Sequence, residues 1–212
     1  MKRIKLTVVL IILSAFGVFA QNETIKPSSG LLGELSTQTN DEFQLLPSKM
    51  IFTQRLLWGN KGLMRGFNRF ELTPEKRQKE LNLRRTMLTT HQIMGFVTLG
   101  SMISQIAVGA SLYNGNAKMK DAHEALGLLT NITYVSTASL ALFAPPKMLD
   151  ERKGFSSIKV HRILAIVHIS GMIATNVLAG MLESNPDLKP YHMAAAITTF
   201  ASFATAVVII KF

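Results

Sequence analysis

Residues 87–113 read MLTTHQIMGFVTLGSMISQIAVGASLY, a run in which His91 is the only ionisable side chain apart from the tyrosine at its end. In a helix rising about 1.5 Å per residue, such a run crosses a hydrocarbon core of about 30 Å, which takes about 20 residues. Three more blocks of the same kind follow, over residues 122–144, 160–182 and 191–210. Their connections are short: the first begins at Asn114-Gly115-Asn116, the second runs from Pro145-Pro146 through Lys159, and the third from Asn185-Pro186 through Pro190. Short links make sequential helices antiparallel. The expected fold is therefore all-α, an integral membrane four-helix up-down bundle.

All five histidines of the chain fall in these blocks, and four occupy equivalent places, one near the start of each. The local sequences are His91-Gln-Ile-Met-Gly95, His123-Glu-Ala-Leu-Gly127, His161-Arg-Ile-Leu-Ala165 and His192-Met-Ala-Ala-Ala196. A glycine or alanine always follows four residues later, on the same helix face. Small residues beside a ligand let a flat, bulky group approach the backbone. Because the helices alternate in direction, His91 can face His161 near one membrane surface and His123 can face His192 near the other. The ligand levels would lie roughly 25 Å apart if the helices are straight. Two bis-histidine sites for two b-type haems are the expected result, with Gly95 and Gly127 giving the cofactors room.

Composition agrees with that chemistry. Nearly half of the 212 residues are apolar and 17% are charged. The chain has no cysteine, which excludes disulfides, thiolate metal sites, iron–sulfur clusters and covalent c-type haem, and leaves imidazole as the obvious iron ligand. The net charge of +10 sits in the leader, the segment before the first block and the loops, so membrane-surface charge explains it and no nucleic-acid partner is expected.

The placement of His91, His123, His161 and His192, with the small residues Gly95, Gly127, Ala165 and Ala196, resembles the cytochrome b561 superfamily. In that family a core of four consecutive helices supplies one histidine each, and alternate helices share a haem. The resemblance covers residues 89–211 and is one of family level. Eukaryotic members carry additional flanking helices, whereas this chain has a leader and a stalk, so the family's substrate-site residues do not transfer. The resemblance implies a membrane electron-transfer cytochrome, or a transmembrane oxidoreductase if it is an enzyme. Its donor would be a quinol or small reductant, and its acceptor a ferric complex or redox protein. Alternatives are a transition-metal binding or transport protein, disfavoured by few acidic co-ligands in the spans, and a haem-free membrane scaffold.

Ahead of the spans, Lys2, Arg3 and Lys5 precede an apolar run ending in Val18-Phe19-Ala20, the pattern of a signal peptide over residues 1–20. Residues 21–49 read as a flexible polar tether. Residues 50–86 read as an interfacial segment and helical stalk. The 50–70 part is either a helix lying in the membrane interface or a loop packed on the end of the bundle. Thr73-Pro74-Glu75 marks a helix start. Residues 87–212 form the four-helix haem-binding domain. The leader places the segment after residue 20 in the periplasm or exterior of a bacterial-type inner membrane. The positive-inside tendency opposes that orientation, and the leader takes precedence because a translocated segment fixes the first span. Membrane lipid is an expected partner, and a homodimer is left open.

The remaining candidates are secondary. His168 is an alternative third-helix ligand, a hydrogen-bond partner, a quinone or proton-relay residue, or a structural polar contact. Gly109 lies on the His91 face and, with Gly180, either makes space for a haem or serves ordinary small-residue helix packing. Arg84, Arg85, Lys159 and Arg162 at one end, and Lys118, Lys120 and Lys189 at the other, are candidates to pair with propionates or are solvated loop charge. Gln105, Thr130, Asn131 and Thr133 are expected to bridge helices.

Overall fold

The computed structural model describes residues 45–148 and 156–211. The expected signal peptide, most of the 21–49 tether and part of the second connection lie outside the described residues. Within them the chain is helical, with no strand. A short helix α1 (Phe52–Trp58) and two 3-10 turns (Leu63–Gly66 and Asn68–Phe70) precede four long helices: α2 (Pro74–Tyr113), α3 (Lys120–Leu142), α4 (Ser157–Met181) and α5 (Lys189–Lys211). Each of the four is long and apolar enough to cross a membrane.

Local chemistry sets the boundaries. Thr73 caps α2 by accepting from the Lys76 amide at 3.3 Å, with Pro74 at the first position and Glu75 in the first turn. No breaker interrupts the 40 residues that follow, so the charged stalk and the first span are one continuous rod of about 60 Å. Ser156 caps α4 in the same way, accepting from Lys159 at 3.3 Å. After α2 the chain reverses through Gly115, whose φ of 95° is a left-handed conformation that glycine adopts without strain.

The packing has lipid-phase polarity. Ile93, Ile103, Ile132, Val135, Ile163, Ile166, Ile173 and Val208 point outward and are exposed, while Thr98, Ser101, Thr130, Thr133, Thr137, Thr199 and Ser202 are buried. In hydrocarbon apolar surface gains nothing by hiding, so small and hydrogen-bonding residues collect between the helices. Thus Thr98 and Thr137 share a 3.1 Å hydroxyl pair and Thr130 donates to Ser101 at 3.2 Å, both joining α2 to α3. A Cβ on Gly171 would collide with Thr199, so glycine is what lets α4 and α5 close. α2 with α3 and α4 with α5 form tightly packed hairpins, and α2 also meets α5. α3 and α4 approach less closely and are linked by side chains. A small apolar core of Met102, Tyr134 and Phe203 lies between them all.

One end of the bundle carries a cap. A helix ends with carbonyls that have no intrahelical donor. Here Thr53 Oγ1 donates to Leu142 O at 2.7 Å, Trp58 Nε1 to Phe143 O at 2.9 Å and Gln54 Nε2 to Ala144 O at 3.3 Å. Arg84 reaches Pro145 O at 2.7 Å, and Arg77 donates to the carbonyls of Pro146, Lys147 and Leu45. Glu80, fully buried, lies between Arg77 and Arg65 and pairs with both. Arg65 also donates to Trp58 O and Phe70 O. Of the two expectations for residues 50–70, packing on the bundle end is therefore observed. The element is a seven-residue helix followed by two 3-10 turns.

Candidate functional site

The four equivalent histidines meet in two pairs across the diagonals of the bundle. The rings of His91 (α2) and His161 (α4) are 6.2 Å apart between centroids, with planes at 88°. Those of His123 (α3) and His192 (α5) are 6.4 Å apart, at 77°. Two imidazoles held end-on by one metal ion at about 2 Å each have ring centres about 6 Å apart, so both pairs stand at bridging distance.

Three of the four rings are oriented by the neighbouring helix of the same hairpin. His91 Nδ1 lies 2.8 Å from Thr137 O, His161 Nδ1 3.0 Å from Ala206 O and His192 Nδ1 3.0 Å from Thr175 O. A carbonyl only accepts, so each Nδ1 carries the proton and the Nε2 lone pair of the neutral ring is free to ligate.

A register repeated on all four helices produces this arrangement. Seven residues after each histidine stands a buried polar side chain: Thr98, Thr130, His168 and Thr199. Fourteen residues after it stands the residue level with the opposite pair: Gln105, Thr137, Thr175 and Ala206. Three of those four supply the carbonyls just named, and the fourth, Gln105, lies beside His123. Fourteen residues make about 21 Å, somewhat less than the straight-helix expectation. The equivalence of these residues emerges only when the histidines define the origin of each helix.

His168 occupies the middle layer, where the other helices have threonine. Its Nδ1 is 2.7 Å from the Tyr134 hydroxyl and its ring packs edge-on against Phe203 at 5.1 Å. Its place is a structural polar contact at the centre, away from both pairs, and His161 is the α4 residue that meets His91.

The space beside the pairs differs between the two ends. Gly95 is buried, yet a Cβ built on it would meet nothing within 4 Å, so an open volume adjoins His91. At the other end a cavity of about 370 Å³ is lined by His123, His192, Gly127, Ala196, Asn131 and Asn176, among others. That is the size range of small-ligand sites. Gly127 faces the Gln105 amide, 3.3 Å from where its Cβ would be. Gly109 lies directly against His123, its Cβ position 2.9 Å from Cε1, so it makes room for that imidazole. Gly180 is exposed with open space beside it.

The other polar candidates divide. Asn131 bridges to Asn176, Thr130 to Ser101 and Gln105 to His123, as expected of helix-linking groups. Thr133 instead returns to carbonyls of its own helix, Leu129 and Thr130. Arg84 is engaged with Pro145 O, and Lys189 with Tyr113 O and the Tyr113 ring. Lys120 lies 3.7 Å from both Glu124 and Glu183. Among the described residues no three His, Cys, Asp or Glu side chains gather as a metal-binding group; the histidines come in twos. No family model, no curated protein and no solved structure matches the chain.

Proposed function

We propose that this chain is a membrane electron-transfer cytochrome of the b561 type, holding two b-type haems through His91 with His161 and His123 with His192. The observation that carries the reading is the pairing itself: two imidazole pairs at 6.2 and 6.4 Å, near the ligand levels of opposite membrane faces. Two protein ligands per site suit haem, whose porphyrin supplies the other four nitrogens of the iron. They fall short of the three or four protein ligands of an ordinary zinc site, which disfavours a bare transition-metal ion. When bound, haem supplies one-electron redox chemistry. The chain's own part is to present each Nε2 lone pair, to keep the rings in one tautomer through Thr137, Ala206 and Thr175, and to leave room beside Gly95 and Gly127. It also sets the two sites about 21 Å apart along the bundle.

In this reading electrons pass between a quinol or small reductant on one side and a ferric complex or redox protein on the other. The signal-peptide pattern at residues 1–20 supports insertion in a bacterial-type inner membrane, with the stalk facing the periplasm or exterior. The test is a reduced-minus-oxidised spectrum with a pyridine haemochrome count on protein purified in mild detergent. Two b-type haems are expected in the wild type and one each in His91→Ala and His123→Ala. Folded protein that takes up no haem under adequate supply would overturn the assignment.

A further inference from the structure

The two histidine pairs are not equivalent, and one side chain makes the difference. Gln105 Nε2 lies 3.3 Å from His123 Nε2, the nitrogen equivalent to the free one on the other three histidines. The same amide nitrogen lies over Gly127, whose absent side chain opens the cavity beside His123. Meanwhile Gln105 Oε1 is buried without a hydrogen-bond partner. By the fourteen-residue register, Gln105 stands where Thr137, Thr175 and Ala206 stand for the other rings, and those three orient their histidines through backbone carbonyls alone. His123 is thus the ring of the four whose Nε2 lies against a side-chain amide.

We infer that Gln105 is an internal competitor for His123, so that the His123–His192 site fills after, and more weakly than, it would with the nitrogen free. This rests on the cytochrome reading and adds an order of loading to it. An incoming iron ligand at the His123 site has to displace the Gln105 amide from both Nε2 and the space over Gly127. At the other end the space beside Gly95 is open, with nothing within 4 Å of where its Cβ would be. The displacement breaks one neutral hydrogen bond, so the competition is modest, a factor of roughly three to ten in affinity.

The experiment is a titration of full-length apo-protein in detergent with ferric haem, followed by Soret absorbance. His91→Ala leaves only the His123–His192 site and His123→Ala only the other. Adding Gln105→Ala to His91→Ala is expected to tighten haem binding roughly three- to tenfold, while adding it to His123→Ala changes nothing. Gln105→Asn, whose amide is one methylene short of His123 Nε2, should act in the same direction and serves if the alanine variant folds poorly. In apo-protein the same substitutions should shift the His123 Nε2 nitrogen resonance, a readout independent of haem. Unchanged or weakened binding to His91→Ala on removal of the amide would overturn the inference while leaving the cytochrome assignment standing. Failure of every variant, His123→Ala included, to bind haem would remove both.

Discussion

Asn131 on α3 and Asn176 on α4 exchange two amide hydrogen bonds, at 2.8 and 3.0 Å, across the seam where those helices approach least closely. Such a reciprocal pair couples its partners. Asn131→Ala and Asn176→Ala are each expected to destabilise the bundle. The double variant should lose less than the sum, with a coupling near the ~0.6 kcal/mol average and no more than about 1.7 kcal/mol. A double-mutant cycle on unfolding in mixed micelles checks this; strict additivity would mean the pair is incidental.

Gly95 predicts a selective loss. Leucine in place of glycine within a helix raises intrinsic helix stability by up to about 1 kcal/mol. A side chain there enters the open volume beside His91. Gly95→Leu should therefore reduce the haem count from two to one without lowering the melting temperature of the haem-free protein, a combination that general misfolding would not give.

The central pair predicts a cost in stability and none in ligation. Tyr134→Phe leaves the buried Nδ1 of His168 without its partner and should cost about 1–3 kcal/mol. His168→Ala should likewise destabilise while retaining two haems with unchanged spectra. Loss of one haem in His168→Ala would instead make His168 the α4 ligand.

Glu80 predicts a local failure. It lies fully buried between two guanidiniums, and removing one partner of a buried ionic cluster typically costs about 3–5 kcal/mol. Glu80→Ala should open residues 50–70 to limited proteolysis and rapid amide exchange, while exchange in the four spans stays protected. Equal protection of the cap in variant and wild type would show that the carbonyl contacts of Thr53, Gln54 and Trp58 suffice alone.

The four spans were legible because hydrocarbon demands a long apolar run, and each run in the sequence ends within a few residues of its helix. The Thr73-Pro74 start was legible because its cap is a local interaction. The meeting of His91 with His161 and of His123 with His192 followed from counting helix directions. What stayed hidden was tertiary in origin. The acceptors Thr137, Ala206 and Thr175 act through backbone atoms, which carry no sequence signature. Gln105 was readable as a polar residue that bridges helices, but not as one facing a particular imidazole nitrogen. Nothing in the sequence around Arg77, Arg65 and Glu80 says that the carbonyls after α3 fold back over them. Gly109 carries two readings in the sequence, room for a cofactor or small-residue packing, and its neighbour is the His123 ring.

The diagonal pairing has a consequence for assembly. Each hairpin, α2 with α3 and α4 with α5, contributes one imidazole to each site, so neither hairpin contains a whole site and each contains half of both. Anything that joins His91 to His161, or His123 to His192, also fastens one hairpin to the other, at two heights, across the loosely packed seam. Occupancy is then linked to the folded state by mass action: a bridging group acts as a cross-brace. The two hairpins, made as separate polypeptides, would be expected to find each other through the cofactor and to come apart when it is withheld.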